Sequence, residues 1–184
     1  LSPDEVKESD IADSVIIHAG SCSLSASPVA EATIKALKTG HDLGKLVSFD
    51  VNYRNLMWND DQQACADAVK AILPYVDILK ISEEEVEMLG GQDHIQDLMK
   101  ENQIAMVVET LGSEGACAYM GEEVIRVAGR KVKAVDATGA GDAFWGAFLS
   151  SLRIQGVEKS TDLSAQIVRN AMEYGNISQY FLLG

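Results

Sequence analysis

The sequence has 184 residues, 47% of them hydrophobic, which is enough to bury one sizeable core. Its formal net charge of -13 at pH 7 argues against the basic face of a nucleic-acid-binding protein. No apolar run reaches the length of a membrane span, and the three cysteines (Cys22, Cys65, Cys117) are too few and too dispersed for a disulfide framework or a zinc cluster, so a cytoplasmic protein is expected.

The opening segment LSPDEVKESD is acidic where a secretory signal is basic and then apolar, and its first residue is Leu, which suggests a piece of a longer chain. Short β-rich runs then alternate with helical stretches, the pattern of an α/β fold with a mostly parallel sheet. Strands are predicted at 14–20, 45–51, 76–82 and 104–112. Helices are predicted between them at 28–39, opened by Ser27 as N-cap with Pro28 in the first turn, at 60–72, at 83–89 with Ser82 and Glu85 as a capping pair, and at 92–101. From GACAYM through the turn at Gly121-Glu122 to EVIRVAG the rhythm becomes that of an antiparallel hairpin. Two helices follow, about 139–154 and 161–177, the first apolar on nearly every side and therefore predicted to be buried. With no repeats and no linker, residues 1–184 read as a single domain.

Ligands of open α/β sheets gather at the carboxyl ends of the strands, and here those ends are polar. They carry Asp50, Asn52 and Arg54, then Ser82 and Glu85, then Thr110, Gly112 and Gly115. Each of these also has an ordinary explanation as an Asx turn, a helix cap or a hairpin glycine. The segment DATGAGDAF is sharper, because Gly139, Ala140 and Gly141 leave backbone N–H groups uncovered at the start of a buried helix, an anion site. The glycine spacing fits neither the P-loop nor the dinucleotide fingerprint. Asp142 then has two readings. One is a first-turn acid complementing the helix dipole, contributing about 0.3–1 kcal/mol. The other is a base aimed at the spot where the amides hold a phosphoryl group. Two glycines and an apolar helix behind the acid favour the second. His18, His41 and His94 lie in separate elements and are assigned no metal, and Trp145 and Phe148 are read as core.

The segment DATGAGDAF resembles the second signature of the ribokinase-like (PfkB) carbohydrate kinases. SFDVNYRNLMW resembles the substrate-side loop of their fructokinase and 2-keto-3-deoxygluconate kinase branch, SEEE their Asn-x-x-Glu motif, and TLGSEGA their nucleotide-binding strand and turn. The resemblance implies a three-layer α/β/α fold and transfer of a phosphoryl group from ATP to the hydroxyl of a ketose such as fructose or of a 2-keto-3-deoxy sugar acid. It makes Asp142 the base, Gly139, Ala140 and Gly141 the anion hole, Arg54, Asn52 and Asp50 the substrate contacts, and Ser82, Thr110, Gly112, Gly115 and Asn170 the nucleotide contacts. Glu85 would act on Mg2+ through water, and Asp136 and Thr138 would hold a monovalent cation, K+. Ser82 stands where the family has Asn, Ala137 where Thr is frequent, and SQYFLLG departs from the family's C-terminal strand. The paired-glycine motif, the sugar-binding Asp and the small sheet that serves as a lid, through which a homodimer would form, have no counterpart here. A nucleotide-binding remnant without turnover is the alternative.

Overall fold

A computed structural model describes residues 1–129 and 139–183 of the chain. Among them, the apolar runs form a six-stranded sheet of β1 (Ile16–Gly20), β2 (Leu46–Asp50), β3 (Ile78–Ser82), β4 (Met106–Thr110), β5 (Gly115–Met120) and β6 (Glu123–Ala128), adjacent in chain order. The pairs from β1 to β4 are parallel, and β4–β5 and β5–β6 are antiparallel, as the change of rhythm after residue 112 predicts.

Parallel strands laid down in one direction with right-handed crossovers put every connecting helix on the same face. That face is covered by α2 (Val29–Asp42), α3 (Gln62–Ile72), α4 (Glu83–Leu89) and α5 (Ile95–Asn102), with the short α1 (Glu8–Ala12) packed on α2. Their apolar stripes meet Val47, Phe49, Leu79, Ile81 and Val107. Because side chains alternate along a strand, the intervening Leu46, Ile78, Met106 and Val108 point to the other face. There they bury Phe144, Trp145, Phe148 and Leu152 of α6 (Ala140–Ile154) and Val168, Ala171 and Met172 of α7 (Ala165–Leu183). The result is the expected three-layer α/β/α arrangement. Trp145 and Phe148 are core, as read, with ring centroids 4.7 Å apart and an interplanar angle of 5°.

Several boundaries differ from expectation for local reasons. Ser27 does not cap α2, since its hydroxyl donates to Glu31 Oε1 at 2.5 Å and Pro28 occupies the cap position. The cap of α3 is Asp61, whose carboxylate accepts from Ala64 N at 2.9 Å. Asp61→Ala should therefore cost about 1 kcal/mol in denaturant unfolding. The stretch predicted as one helix at 92–101 divides into a 3-10 turn, Gln92–His94, and α5. The last helix starts at Ala165 and extends to Leu183, so most of SQYFLLG is helical.

The hairpin is held close by Gly115, which has φ +109° and whose missing Cβ would lie 2.1 Å from Val127 O. Neither the dihedral nor the contact tolerates a side chain. Gly115→Ala is expected to lower stability by roughly 2–4 kcal/mol, measured by urea unfolding.

Candidate functional site

The carboxyl ends of β3 and β4 and the first turn of α6 enclose a cleft of about 510 Å³. Ser82, Thr110, Gly112, Gly115, Ala140 and Gly141 line it, together with Glu83, Glu84 and Phe144. Residues singled out from three separate stretches of sequence therefore share one space. The turn into α6 depends on Gly139, which sits in the left-handed region at φ 78° and ψ 0°. Its carbonyl accepts the first helical bond, from Ala143 N at 2.8 Å, which leaves the amides of Ala140, Gly141 and Asp142 without partners inside the helix. Unpaired amides and the positive end of a fifteen-residue helix favour an anion at this place.

Asp142 is exposed in this turn, and its Oδ1 accepts from Asn52 Nδ2 at 3.1 Å. An acid that only offset the dipole would need no such partner. Asn52 is itself held in the left-handed region, φ 40°, a conformation Asn tolerates better than most residues. Its carbonyl accepts from Ser21 Oγ at 3.5 Å and Cys22 Sγ at 3.8 Å, tying the exits of β1 and β2 together beside α6. Arg54 follows in the same loop, exposed and without an ion pair among the described residues.

Glu85 is buried, and both its oxygens are engaged: Oε1 accepts from Tyr53 N and Oε2 from Ser82 N, each at 2.7 Å. Ser82 Oγ accepts in return from Glu85 N at 3.4 Å, completing the predicted capping pair. The carboxylate thus clamps the loop after β2 to the start of α4, and each oxygen keeps a further lone pair.

Two expected contacts are corrected by the geometry. Asp50 cannot reach a sugar as it stands, because it is 3% exposed and both its oxygens lie 2.8 Å from Lys80 Nζ. Burial, opposed by Lys80 and reinforced by Glu85 and Asp142, pushes the Asp50 pKa up to about 6. Asn170 belongs to the wrong end of the helix layer. It donates to Gln155 Oε1 at 2.9 Å, just past the C-terminus of α6, about 20 Å of helix rise from Gly141. The α7 residues at the near end are Gly175, packed against Phe144, and Asn176, which donates to Ala128 O at 3.1 Å. Asp136 and Thr138 lie outside the described residues.

Lys80 is not among the residues that the sequence motifs single out. Its signal in the sequence is a lone lysine in an apolar strand, in the face that Ile78 begins and Ser82 ends. His18 Nδ1 lies 3.0 Å from Ser48 Oγ, which accepts from Trp145 Nε1 at 3.1 Å. Among the described residues, no group of three His, Cys, Asp or Glu side chains is arranged to hold a metal ion, and no helix is long and apolar enough to cross a membrane.

The three-layer α/β/α arrangement is the ribokinase-like one, similar to the structure of a "putative Ribokinase II" from E. coli with a TM-score of 0.82 and 28% identity over 100% of this chain and 56% of that one. The chain belongs to the pfkB family of carbohydrate kinases, whose family model matches residues 1–166. It is 37% identical over 156 residues to "Probable fructokinase-5" of Arabidopsis thaliana, covering 83% of this chain and 48% of the relative. To the Escherichia coli fructokinase it is 33% identical over 168 residues, covering 88% of this chain and 54% of the relative. The structure is similar to that of Vibrio cholerae O395 fructokinase in its fructose, ADP and calcium ion bound form, with a TM-score of 0.82 and 29% identity over 97% of this chain and 58% of that one. The chain spans about half the length of the curated relatives it matches.

Proposed function

We propose that residues 1–184 form the nucleotide-binding core of a kinase that transfers the terminal phosphoryl group of ATP to a hydroxyl of fructose. The observation that carries this reading is the first turn of α6, whose Ala140 and Gly141 line the cleft at the ends of β3 and β4 while the adjacent Asp142 meets Asn52 in the loop after β2. Fructose is preferred to a 2-keto-3-deoxy sugar acid because relatives at 33–37% identity are named fructokinases. The similar Vibrio cholerae O395 fructokinase structure holds fructose and ADP together, which supports the same pairing of sugar and nucleotide here.

In this reading the substrate hydroxyl lies against Asp142, which takes its proton as the oxygen attacks the γ-phosphorus. The new O–P bond forms as the bond to the bridging oxygen breaks, and ADP departs. The amides of the turn donate to the transferring oxygens, where preorganised donors cost no rearrangement at the moment of reaction. Asn52 orients the base. Arg54, a charged fork without an ion pair among the described residues, supplies positive charge to the migrating group or binds the sugar. Ser82, Thr110, Gly112 and Gly115 border the nucleotide phosphates.

Magnesium, when bound with the nucleotide, would neutralise phosphate charge. Glu83 and Glu84 at the wall of this cleft offer oxygen donors that suit a hard cation held largely through water, and Glu85, next in the chain, keeps a lone pair on each of its engaged oxygens. An acidic chain meets a polyanion more readily as such a complex.

The test is ADP release by the intact protein with ATP and magnesium, using fructose, 2-keto-3-deoxygluconate and ribose in turn. Fructose-dependent release is expected. Release that no sugar stimulates, or nucleotide binding without turnover, would overturn the kinase reading in favour of a binding module.

A further inference from the structure

The cleft poses an electrostatic problem that the amide turn alone does not solve. Asp50 and Asp142 lie near the turn, Glu83 and Glu84 line the cleft, and the chain as a whole carries -13. Among the described residues, an anionic ligand entering there meets mostly negative charge. The exception beneath the turn, again among the described residues, is Lys80, whose side chain is 5% exposed. Its ammonium is 3.5 Å from where a Cβ on Gly141 would sit, so it is packed against the backbone that bears the free amides. Two of its three protons face the Asp50 oxygens at 2.8 Å.

The register explains how it gets there. Asp50 and Lys80 are paired positions of β2 and β3, on the sheet face that α6 covers. The alternation Leu46-Ser48-Asp50 and Ile78-Lys80-Ser82 turns polar as it approaches the first turn of α6. A buried ammonium beside the positive end of a helix is unfavourable for folding unless another group compensates it, and Asp50 does so. A pair needed only for packing could be replaced by apolar residues at little cost, as buried ion pairs often can.

We infer that Lys80 is a positioning residue for phosphoryl transfer, a buried cation seated by Asp50 behind the Gly139–Gly141 turn that makes the turn attractive to phosphate. The inference rests on the kinase reading of the cleft. Lys80 does not touch the ligand. It acts through the backbone of the turn and through its charge at short range in a poorly screened interior, where such a charge counts for more than at the surface. Asp50 is correspondingly its holder and not a sugar contact.

The experiment measures affinity of the intact protein for ADP and for a non-hydrolysable ATP analogue by calorimetry, in the wild type, Asp50→Asn, Lys80→Arg and the double variant Asp50→Asn with Lys80→Met. Thermal melting and the fluorescence of the buried Trp58 and Trp145 verify that each variant is folded. The double variant, which has no unpaired buried charge, should fold yet bind the analogue at least tenfold more weakly than the wild type. Asp50→Asn leaves the cation without its counter-charge and should bind the analogue as tightly as the wild type or more so. A purely structural pair gives the opposite order, with Asp50→Asn weakened and the double variant restored. That order, or equal affinity in wild type and double variant, would overturn the inference while leaving the kinase reading intact. Failure of the wild type to bind either nucleotide would overturn both.

Discussion

Asp142→Asn in the intact protein is expected to lower sugar-dependent turnover by about 10²–10⁴-fold, with nucleotide affinity changed by no more than roughly twofold. The substitution keeps the size of the side chain and its ability to meet Asn52, which now contacts Asp142 at 3.1 Å. What it removes is the capacity to accept a proton. The amides of the turn belong to the backbone and survive the change, so the anion site should bind as before. The loss should therefore fall on kcat and leave the nucleotide dissociation constant nearly alone. Turnover within a few-fold of the wild type would reduce Asp142 to a first-turn acid whose only effect is on helix stability, about 0.3–1 kcal/mol.

The largest effect on stability is expected at Asp50. Asp50→Ala strands the Lys80 ammonium in an environment only 4% exposed and should cost roughly 3–5 kcal/mol in urea unfolding. Replacing both partners, Asp50→Leu with Lys80→Met, should recover most of that loss, since an apolar pair needs no desolvation. The pH dependence has a definite sign. The Asp50 carboxyl in the folded protein titrates at about 6, above its ordinary 3.8, chiefly because burial penalises its charge. The folded state therefore binds this proton more tightly than the unfolded chain. Its contribution to stability is complete below about pH 4 and is lost as the pH rises through 6. Unfolding measured across that interval should show the decline in the wild type and lack this component in Asp50→Asn. An unchanged pH profile would mean that Lys80 dominates the site and holds the carboxylate ionised throughout.

Most of the candidate site was legible because its members are local signals. Gly139-Ala140-Gly141-Asp142 announces an uncovered helix start within four residues, and Ser82 with Glu85 announces a capping pair within four more. The sheet was legible too, since apolar runs of strand length with helical stretches between them admit few other arrangements. Asp50 and Asn170 were misjudged for a common reason. Their chemistry depends on neighbours 30 and 15 positions away, and nothing local distinguishes a strand-end carboxylate that meets a ligand from one that meets a lysine.

The alternation of elements, the antiparallel turn after residue 112 and the family to which the anion turn belongs all follow from local sequence signals. Periodicity and glycine chemistry act over a few residues and need no tertiary context to be read. What each polar side chain faces depends instead on the folded arrangement. The fold joins Asn52 to Asp142 across the gap between β2 and α6, turns Glu85 into a clamp between two loops, and sets Lys80 beneath the turn with Asp50 as its holder. Those pairings follow from strand register and from the seating of α6 on the sheet, which depend on packing between distant parts of the chain.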